Sequence, residues 1–216
     1  MKIKKYLHSC LLIEENGKRL LIDPGKFSFG DEGIKAEEVG AVDAILITHE
    51  HQDHYFPEAL RAFKNLGDCE IITHAAIGKL LDEEGIAHTL LQDGEEREVV
   101  GFHVKGFARS HGPLPLPVPD NFAYLINSRL LHPGDSYEAS DISCEVLALP
   151  VVAPWAKLTE TVEYAKAVGA KTVIPIHDAF LKDFMRHGVY YNVAKMKLEE
   201  QHIAFQVLES GDEFEI

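Results

Sequence analysis

Thr48-His49-Glu50-His51-Gln52-Asp53-His54 sets three imidazoles and the carboxylate of Asp53 within a span of six residues. Imidazole and carboxylate together make a donor set suited to Zn²⁺, Mn²⁺ or Fe. With 12 histidines in 216 residues, four such positions match by chance in about 2 per 1,000 sequences of this composition. The segment follows Asp43 to Thr48, whose Ala-Ile-Leu-Ile centre reads as a fully buried strand. Pro57 to Leu66 then reads as a helix, with proline in its first turn and Gly67 after its last. A turn between strand and helix aims His49 and His51 one way and Asp53 and His54 toward a neighbouring point, as two metals a few ångströms apart require. The competing reading is a solvated histidine-rich loop.

Upstream, Ile3 to Leu7, Cys10 to Ile13 and Arg19 to Ile22 are short apolar runs, the last two separated by Glu14-Glu15-Asn16-Gly17. They predict antiparallel strands with a hairpin turn. Asp23-Pro24-Gly25 and a mixed polar loop lead on to the histidine segment. Downstream, strand Glu70 to Thr73 and helix Ala75 to Glu84 continue an α/β rhythm. Glu98 to Phe107 alternates as one strand and leads to His111. The loop Pro113-Leu114-Pro115-Leu116-Pro117-Val118-Pro119 then stays extended and out of sheets. Strands are expected at Phe122 to Ile126, Arg129 to Leu131 and Val146 to Leu149, then a helix from Thr159 to Val168. Strand Thr172 to Ile176 delivers His177; a helix around Val189 to Gln201 and strands Ile203 to Leu208 and Glu213 to Ile216 follow. No repeat, linker or low-complexity break divides residues 1–216, so one domain is expected.

Hydrophobic residues make up 46% and charged residues 26%, which excludes disordered and collagen-like chains. No stretch approaches the apolar length of a membrane span, and the basic amino terminus turns polar before any sustained apolar run. A cytoplasmic protein with no membrane association is expected. Cys10, Cys69 and Cys144 are odd in number and lack C-x-x-C spacing, so neither a disulfide framework nor a thiolate zinc site is indicated. A net charge of −14 opposes approach to nucleic-acid backbones.

The histidine segment is similar to the signature motif of the metallo-β-lactamase superfamily, and the likeness extends along nearly the whole chain. His132-Pro133-Gly134-Asp135-Ser136 resembles that superfamily's Gly-Asp-Ser/Thr turn, and Val173-Ile174-Pro175-Ile176-His177 its last ligand strand. Leu21-Ile22-Asp23-Pro24-Gly25 resembles an early aspartate element that buttresses the site without touching metal. The resemblance implies an α/β (α+β) fold, a four-layer αββα sandwich. It also implies His49, His51 and His111 on one metal, Asp53, His54 and His177 on the other, and Asp135 bridging both. His8-Ser9-Cys10-Leu11-Leu12-Ile13, the Asp23 turn and the short length resemble the branch containing ascorbate 6-phosphate lactonase.

Three further residues are candidates near the site. His8 contacts substrate or a ligating carboxylate, or is a hydrogen-bonded structural histidine. Asp23 supports the ligands, and Trp155 either walls a substrate pocket or packs in the core.

Two divalent ions, expected to be Zn²⁺ with Mn²⁺ or Fe as alternatives, would supply a metal-bridged hydroxide at neutral pH. Asp53 is the expected catalytic residue, ligating and orienting that nucleophile. The function expected is a binuclear metal-dependent hydrolase of an ester, lactone or phosphodiester in a small molecule. Among the alternatives, relatives in the superfamily include mononuclear iron sulfur dioxygenases and diiron flavoproteins. The diiron branch carries glutamate where this chain has His51, which argues against it. A metal-dependent nuclease is disfavoured by charge and by the lack of an appended RNA-binding domain, and a non-catalytic metal-binding module is the remaining class. The proline-rich loop is a candidate lid over substrate, or a contact in a homo-oligomer.

Overall fold

Turn chemistry and alternating burial build two sheets. In the computed structural model, which describes residues 1–138 and 140–216, the first sheet takes β1 (Lys2–Lys5), β2 (Leu11–Glu15), β3 (Lys18–Ile22), β4 (Ala44–Leu46), β5 (Glu70–Thr73) and β6 (Thr89–Leu90). The second takes β7 (Glu96–Val99), β8 (Phe102–Ser110), β9 (Asp120–Ile126), β10 (Leu130–His132), β11 (Val146–Pro150), β12 (Thr172–Ile176) and β13 (Ala204–Phe205). The last strand, β14 (Glu213–Glu215), returns to the first sheet and pairs with β1. Each sheet is thus wound from one half of the chain, with the final strand tying the end to the beginning.

The β2–β3 hairpin closes through Asn16 and Gly17, both at positive φ (51° and 77°), so that Glu15 faces Lys18. Two residues at positive φ make the turn whose twist matches the flanking strands, which is why Asn-Gly marks it. From β3 to β6 the pairing is parallel, and parallel neighbours need crossovers. Helices α1 (Lys26–Phe29), α2 (Ala36–Val39), α3 (Pro57–Leu66) and α4 (Ala75–Glu83) supply them. In the second half, α5 (Leu158–Val168), α6 (Asp183–Met185), a π-helical turn (Arg186–Tyr191) and α7 (Asn192–Glu199) connect β11, β12 and β13.

Side-chain alternation sorts the apolar residues into three cores. Leu11, Ile13 and Leu20 point between the sheets and meet Phe102, Val104 and Ile126. Leu12, Leu21 and Ile45 point outward and pack on Leu60, Phe63 and Ile77 of α3 and α4. On the other outer face, Leu147 and Val173 pack on Val162 and Ala165 of α5 and Ala194 and Leu198 of α7. The order helix, sheet, sheet, helix is the four-layer αββα arrangement. Strands such as β4 are apolar throughout because both of their faces are covered.

Three expectations need correction. Glu98 to Phe107 is not one strand but parts of β7 and β8, joined at Val100 and Gly101 with φ of 47° and 99°. A β-branched residue rarely adopts positive φ, so Val100 carries no turn signal. The polar stretch after Asp23 contains α1 and α2, each four residues long and too short to show helical periodicity. The late helix is shorter than its periodicity suggests, Asn192–Glu199, because a π-helical turn occupies its first part. No helix among the described residues is long and apolar enough to cross a membrane.

Candidate metal centre

Strand ends on one edge of the two sheets bring the chemistry together. His8 follows β1, Asp23 follows β3, and His49 to His54 follow β4; His111, Asp135 and His177 follow β8, β10 and β12. His8, Asp23 and His177 all lie at positive φ, 64°, 49° and 58°. Such conformations in residues other than glycine persist only where surrounding contacts enforce them, and they concentrate at functional sites.

Two groups of donor atoms result, and each clusters tightly enough to hold one ion. One is His49, His51, His111 and Asp135; the other contains Asp53, His54 and His177, with His8 beside them. In the first group, Nε2 of His49 faces Nδ1 of His51 at 3.2 Å, and Nε2 of His111 lies 3.5 Å from Oδ2 of Asp135. In the second, Nε2 of His177 lies 3.0 Å from Oδ2 of Asp135 and 3.6 Å from Oδ2 of Asp53. Nε2 of His54 lies 3.2 Å from Oδ1 of Asp135. The Asp135 carboxylate therefore stands between the two groups.

Apart from the His49–His51 contact, these separations do not come from hydrogen bonding. Nε2 of His54, His111 and His177 and Oδ1 of Asp135 are buried and have no hydrogen-bond partner among the described residues. Four orphaned polar atoms facing one another cost folding free energy unless something fills the gap. Donors bound at about 2.0–2.2 Å to a tetrahedral ion sit roughly 3.3–3.6 Å apart, close to the 3.0–3.6 Å separations between these donors.

The opposite ring nitrogens are already committed. Nδ1–H of His54 donates to Oδ2 of Asp23 (2.7 Å), that of His111 to the carbonyl of Gly112 (2.7 Å) and that of His177 to the carbonyl of Val152 (2.5 Å). Each bond fixes the tautomer and leaves the Nε2 lone pair aimed into the gap. Nδ1–H of His49 donates to the hydroxyl of Thr48 at 3.0 Å. Burial pushes His49 well below the usual imidazole range, assisted by His54 and opposed by Asp135; a neutral ring is the form that binds a cation.

His8 is close enough to join the second group, but its nitrogens are spoken for. The amide of Ala179 donates to Nδ1 at 3.3 Å, which leaves Nε2 carrying the proton and donating it to Oδ2 of Asp53 at 3.0 Å. The residues present thus fit two metal ions, with His8 holding a ligand rather than serving as one.

Comparison with known proteins places this arrangement in a family. Residues 2–177, which include all of these donors, match the family model described as a beta-lactamase superfamily domain. The chain belongs to the metallo-β-lactamase superfamily. Protein Rv0786c of Mycobacterium tuberculosis is 35% identical over 198 residues, covering 88% of this chain and 90% of that one. A UPF0173 metal-dependent hydrolase of Bacillus thuringiensis is 29% identical over 98% of both chains. Igni18, a metallo hydrolase from Ignicoccus hospitalis, superposes with a TM-score of 0.78 at 20% identity, covering 100% of this chain and 98% of that one.

The metallo-β-lactamase fold supports its donors with buried residues, and Asp23 is central. It accepts from the amide and hydroxyl of Thr48 (2.8 and 2.7 Å) as well as from His54, and it is fully buried. Gly25 lets this turn lie against the histidine loop, since a Cβ there would sit 1.7 Å from the carbonyl oxygen of Asp53. Trp155 is outside the linings of the clefts at His111 and Asp53. It is buried beside His111 and Tyr137, and its indole N–H donates to Oδ2 of Asp135 at 3.2 Å.

Several supports escape a reading of the sequence. Asn121 accepts from the amide of Asp135 (3.0 Å) and donates to the carbonyl of Pro133 (3.0 Å). Gly134 must be glycine for this, because its φ is 61° and a Cβ would sit 2.1 Å from Asn121 Oδ1. His132 accepts from the amide of Gly134 and donates to the carbonyl of Ser9 at 2.9 Å, linking the turns of both sheets. Lys5 and Asp178 form a buried ion pair at 2.6 Å, completed by the hydroxyl of Tyr191. The only hint of the pair is a lysine inside the apolar run Ile3 to Leu7 and an aspartate directly after His177.

Two clefts reach the centre, one at His111 and one at Asp53. One, of about 990 Å³, is polar around His74, Arg109, His111 and Asn121, and Val118 and Pro119 of the proline-rich loop border it. The other, of about 910 Å³, opens on Asp53 and is lined by Leu7, Phe27 and Phe180.

Proposed function

We propose that the chain is a binuclear metal-dependent hydrolase that cleaves an ester, lactone or phosphodiester bond in a small molecule. The observation that carries this reading is the Asp135 carboxylate set between two groups of imidazoles whose inward nitrogens lack partners. His49, His51 and His111 would hold one ion, Asp53, His54 and His177 the other, and Asp135 both. Two bound divalent cations, Zn²⁺ as the first choice and Mn²⁺ or Fe as alternatives, lower the pKa of a shared water toward ~7 and polarise the oxygen of the scissile group.

The protein's own residues supply orientation. Asp53 reaches the cleft while its Oδ2 is held by His8, so the carboxylate is fixed in direction and can orient a water molecule beside it. His49 and His54 are fully buried, and the low-dielectric surroundings strengthen every charge interaction made there. Substrate enters through one of the two clefts, and the exposed loop 113–119 borders the polar one as a lid. The resemblance of the His8 to Ile13 segment to the ascorbate 6-phosphate lactonase branch keeps a lactone among the substrates.

The test is hydrolysis of p-nitrophenyl acetate, bis(p-nitrophenyl) phosphate and a thiolactone by metal-loaded protein, with and without chelator. Turnover of at least one, abolished by chelator and restored by metal, is expected. Metal-loaded protein inert toward all three would contradict the reading.

A further inference from the structure

Phe27 and Phe180 stand where the second cleft opens on Asp53, and each leaves a large apolar surface in water, 38% and 51% exposed. Scattered exposed apolar residues are ordinary; an aromatic pair packed against the histidines of a buried polar centre is not. The two rings meet edge to face, with centroids 5.2 Å apart. Both also touch His8, at 4.9 and 5.1 Å, and Phe180 lies 5.5 Å from His177. Neither phenylalanine belongs to the three apolar cores, so their placement is not a by-product of packing the sheets.

The two rings come from opposite sheets. Phe27 sits in α1 after β3, and Phe180 sits three residues beyond His177 after β12. Connections after strand ends are where recognition residues are placed on a rigid scaffold. Leu7, also exposed, adds a third apolar side chain to the same wall. Farther out, Lys26 and Arg186 are outnumbered by Asp31, Glu32, Asp183 and Glu209, so an anionic tail is disfavoured there. The cleft that reaches His111 is polar, with His74, Arg109 and Asn121 in its lining.

We propose that Phe27 and Phe180 form a specificity subsite for an uncharged, apolar and preferably planar group carried beside the scissile bond. This rests on the hydrolase reading of the centre and narrows its substrate class. A planar group inserted against these rings gains an edge-to-face or offset-stacked contact in addition to the area it buries. The polar remainder of the substrate then lies toward the cleft at His111.

The experiment is calorimetric binding of two probes with the same metal-chelating head, benzohydroxamate and acetohydroxamate, to metal-loaded protein. Wild type is expected to bind benzohydroxamate about tenfold more tightly, the consequence of burying a phenyl in place of a methyl. Phe180→Ala should reduce that preference to about threefold or less while leaving acetohydroxamate affinity unchanged. Phe27→Ala and Phe180→Leu, with thermal melts as a check on folding, keep the test decisive if one variant misfolds. Equal affinity for the two probes, binding of neither, or a preference that survives both alanine variants would overturn the subsite. Turnover is measured separately: a protein that shows the preference but hydrolyses nothing supports the subsite and contradicts the hydrolase reading.

Discussion

His8 donates its Nε2–H to Oδ2 of Asp53 across 3.0 Å, joining the turn after the first strand to the histidine-rich loop. The amide of Ala179 fixes the tautomer from the other side of the ring. Burial pushes the His8 imidazole down to about 4, with His177 acting in the same direction and the Asp53 hydrogen bond opposing them. Near neutral pH the ring is therefore uncharged and offers one N–H, which Asp53 receives. A carboxylate held in this way is fixed in direction, with the same Oδ2 lying 3.6 Å from Nε2 of His177.

Removing that N–H should loosen Asp53 without emptying the site. His8→Ala is expected to lower kcat by about 10- to 100-fold with KM little changed, and His8→Gln, which retains a donor, should recover part of the loss. Steady-state kinetics alongside metal analysis check this. Unchanged kcat in His8→Ala would remove His8 from the machinery.

Asp53 itself carries more. On the proposed reading Asp53→Ala removes a metal donor and the carboxylate that orients water at the cleft, so turnover should fall by at least about 1,000-fold. Retained activity with normal metal content would contradict the role given to this carboxylate.

Trp155 separates packing from hydrogen bonding. Trp155→Phe keeps an aromatic ring beneath Gly112 but deletes the donor to Asp135. Metal affinity should weaken by about tenfold, read by chelator competition, with a smaller effect on the melting temperature. A variant that melts early but binds metal normally would make Trp155 a core residue alone.

The centre was readable in the sequence because its donors are crowded: four of them fall between His49 and His54, and the others end apolar runs at His111, Asp135 and His177. Strand ends can be located by hydrophobic pattern, and a histidine at such an end stands out. Lys5, Asn121, His132 and Asp178 were not readable, because their partners lie far away in the chain. Asp178, for example, meets Lys5 across 173 positions. Nor did Val100 announce the β7–β8 hairpin, since its positive φ is imposed by the sheet and opposes its own preference. Trp155 was assigned a place near the site for its size and surroundings, whereas its contact with Asp135 runs through its one polar atom.

The Lys5–Asp178 pair makes the site's support sensitive to acid. Burial pushes the Asp178 carboxyl up, but Lys5 and Tyr191 outweigh it and hold it below the usual carboxylate range. A carboxyl depressed in the folded state contributes stability above its unfolded value, about 3.9, and loses it as pH falls from there toward the folded value. Lys5→Ala should cost about 3 kcal/mol near neutral pH by leaving the buried carboxylate to Tyr191 and to Arg186, 3.6 Å away, and the cost should shrink in acid as the carboxyl protonates. Denaturant melts across pH 3 to 8 measure it; a cost independent of pH would mean the lysine contributes only packing.

The most direct test of the account is metal content per chain, by elemental mass spectrometry on protein purified without chelator, for wild type and for Asp135→Ala. Two groups of donors with Asp135 beside both predict two equivalents of Zn or Mn in wild type, with loss of at least one on removing that carboxylate. One equivalent of iron in wild type, unaffected by Asp135→Ala and accompanied by oxygen uptake instead of hydrolysis, would contradict it.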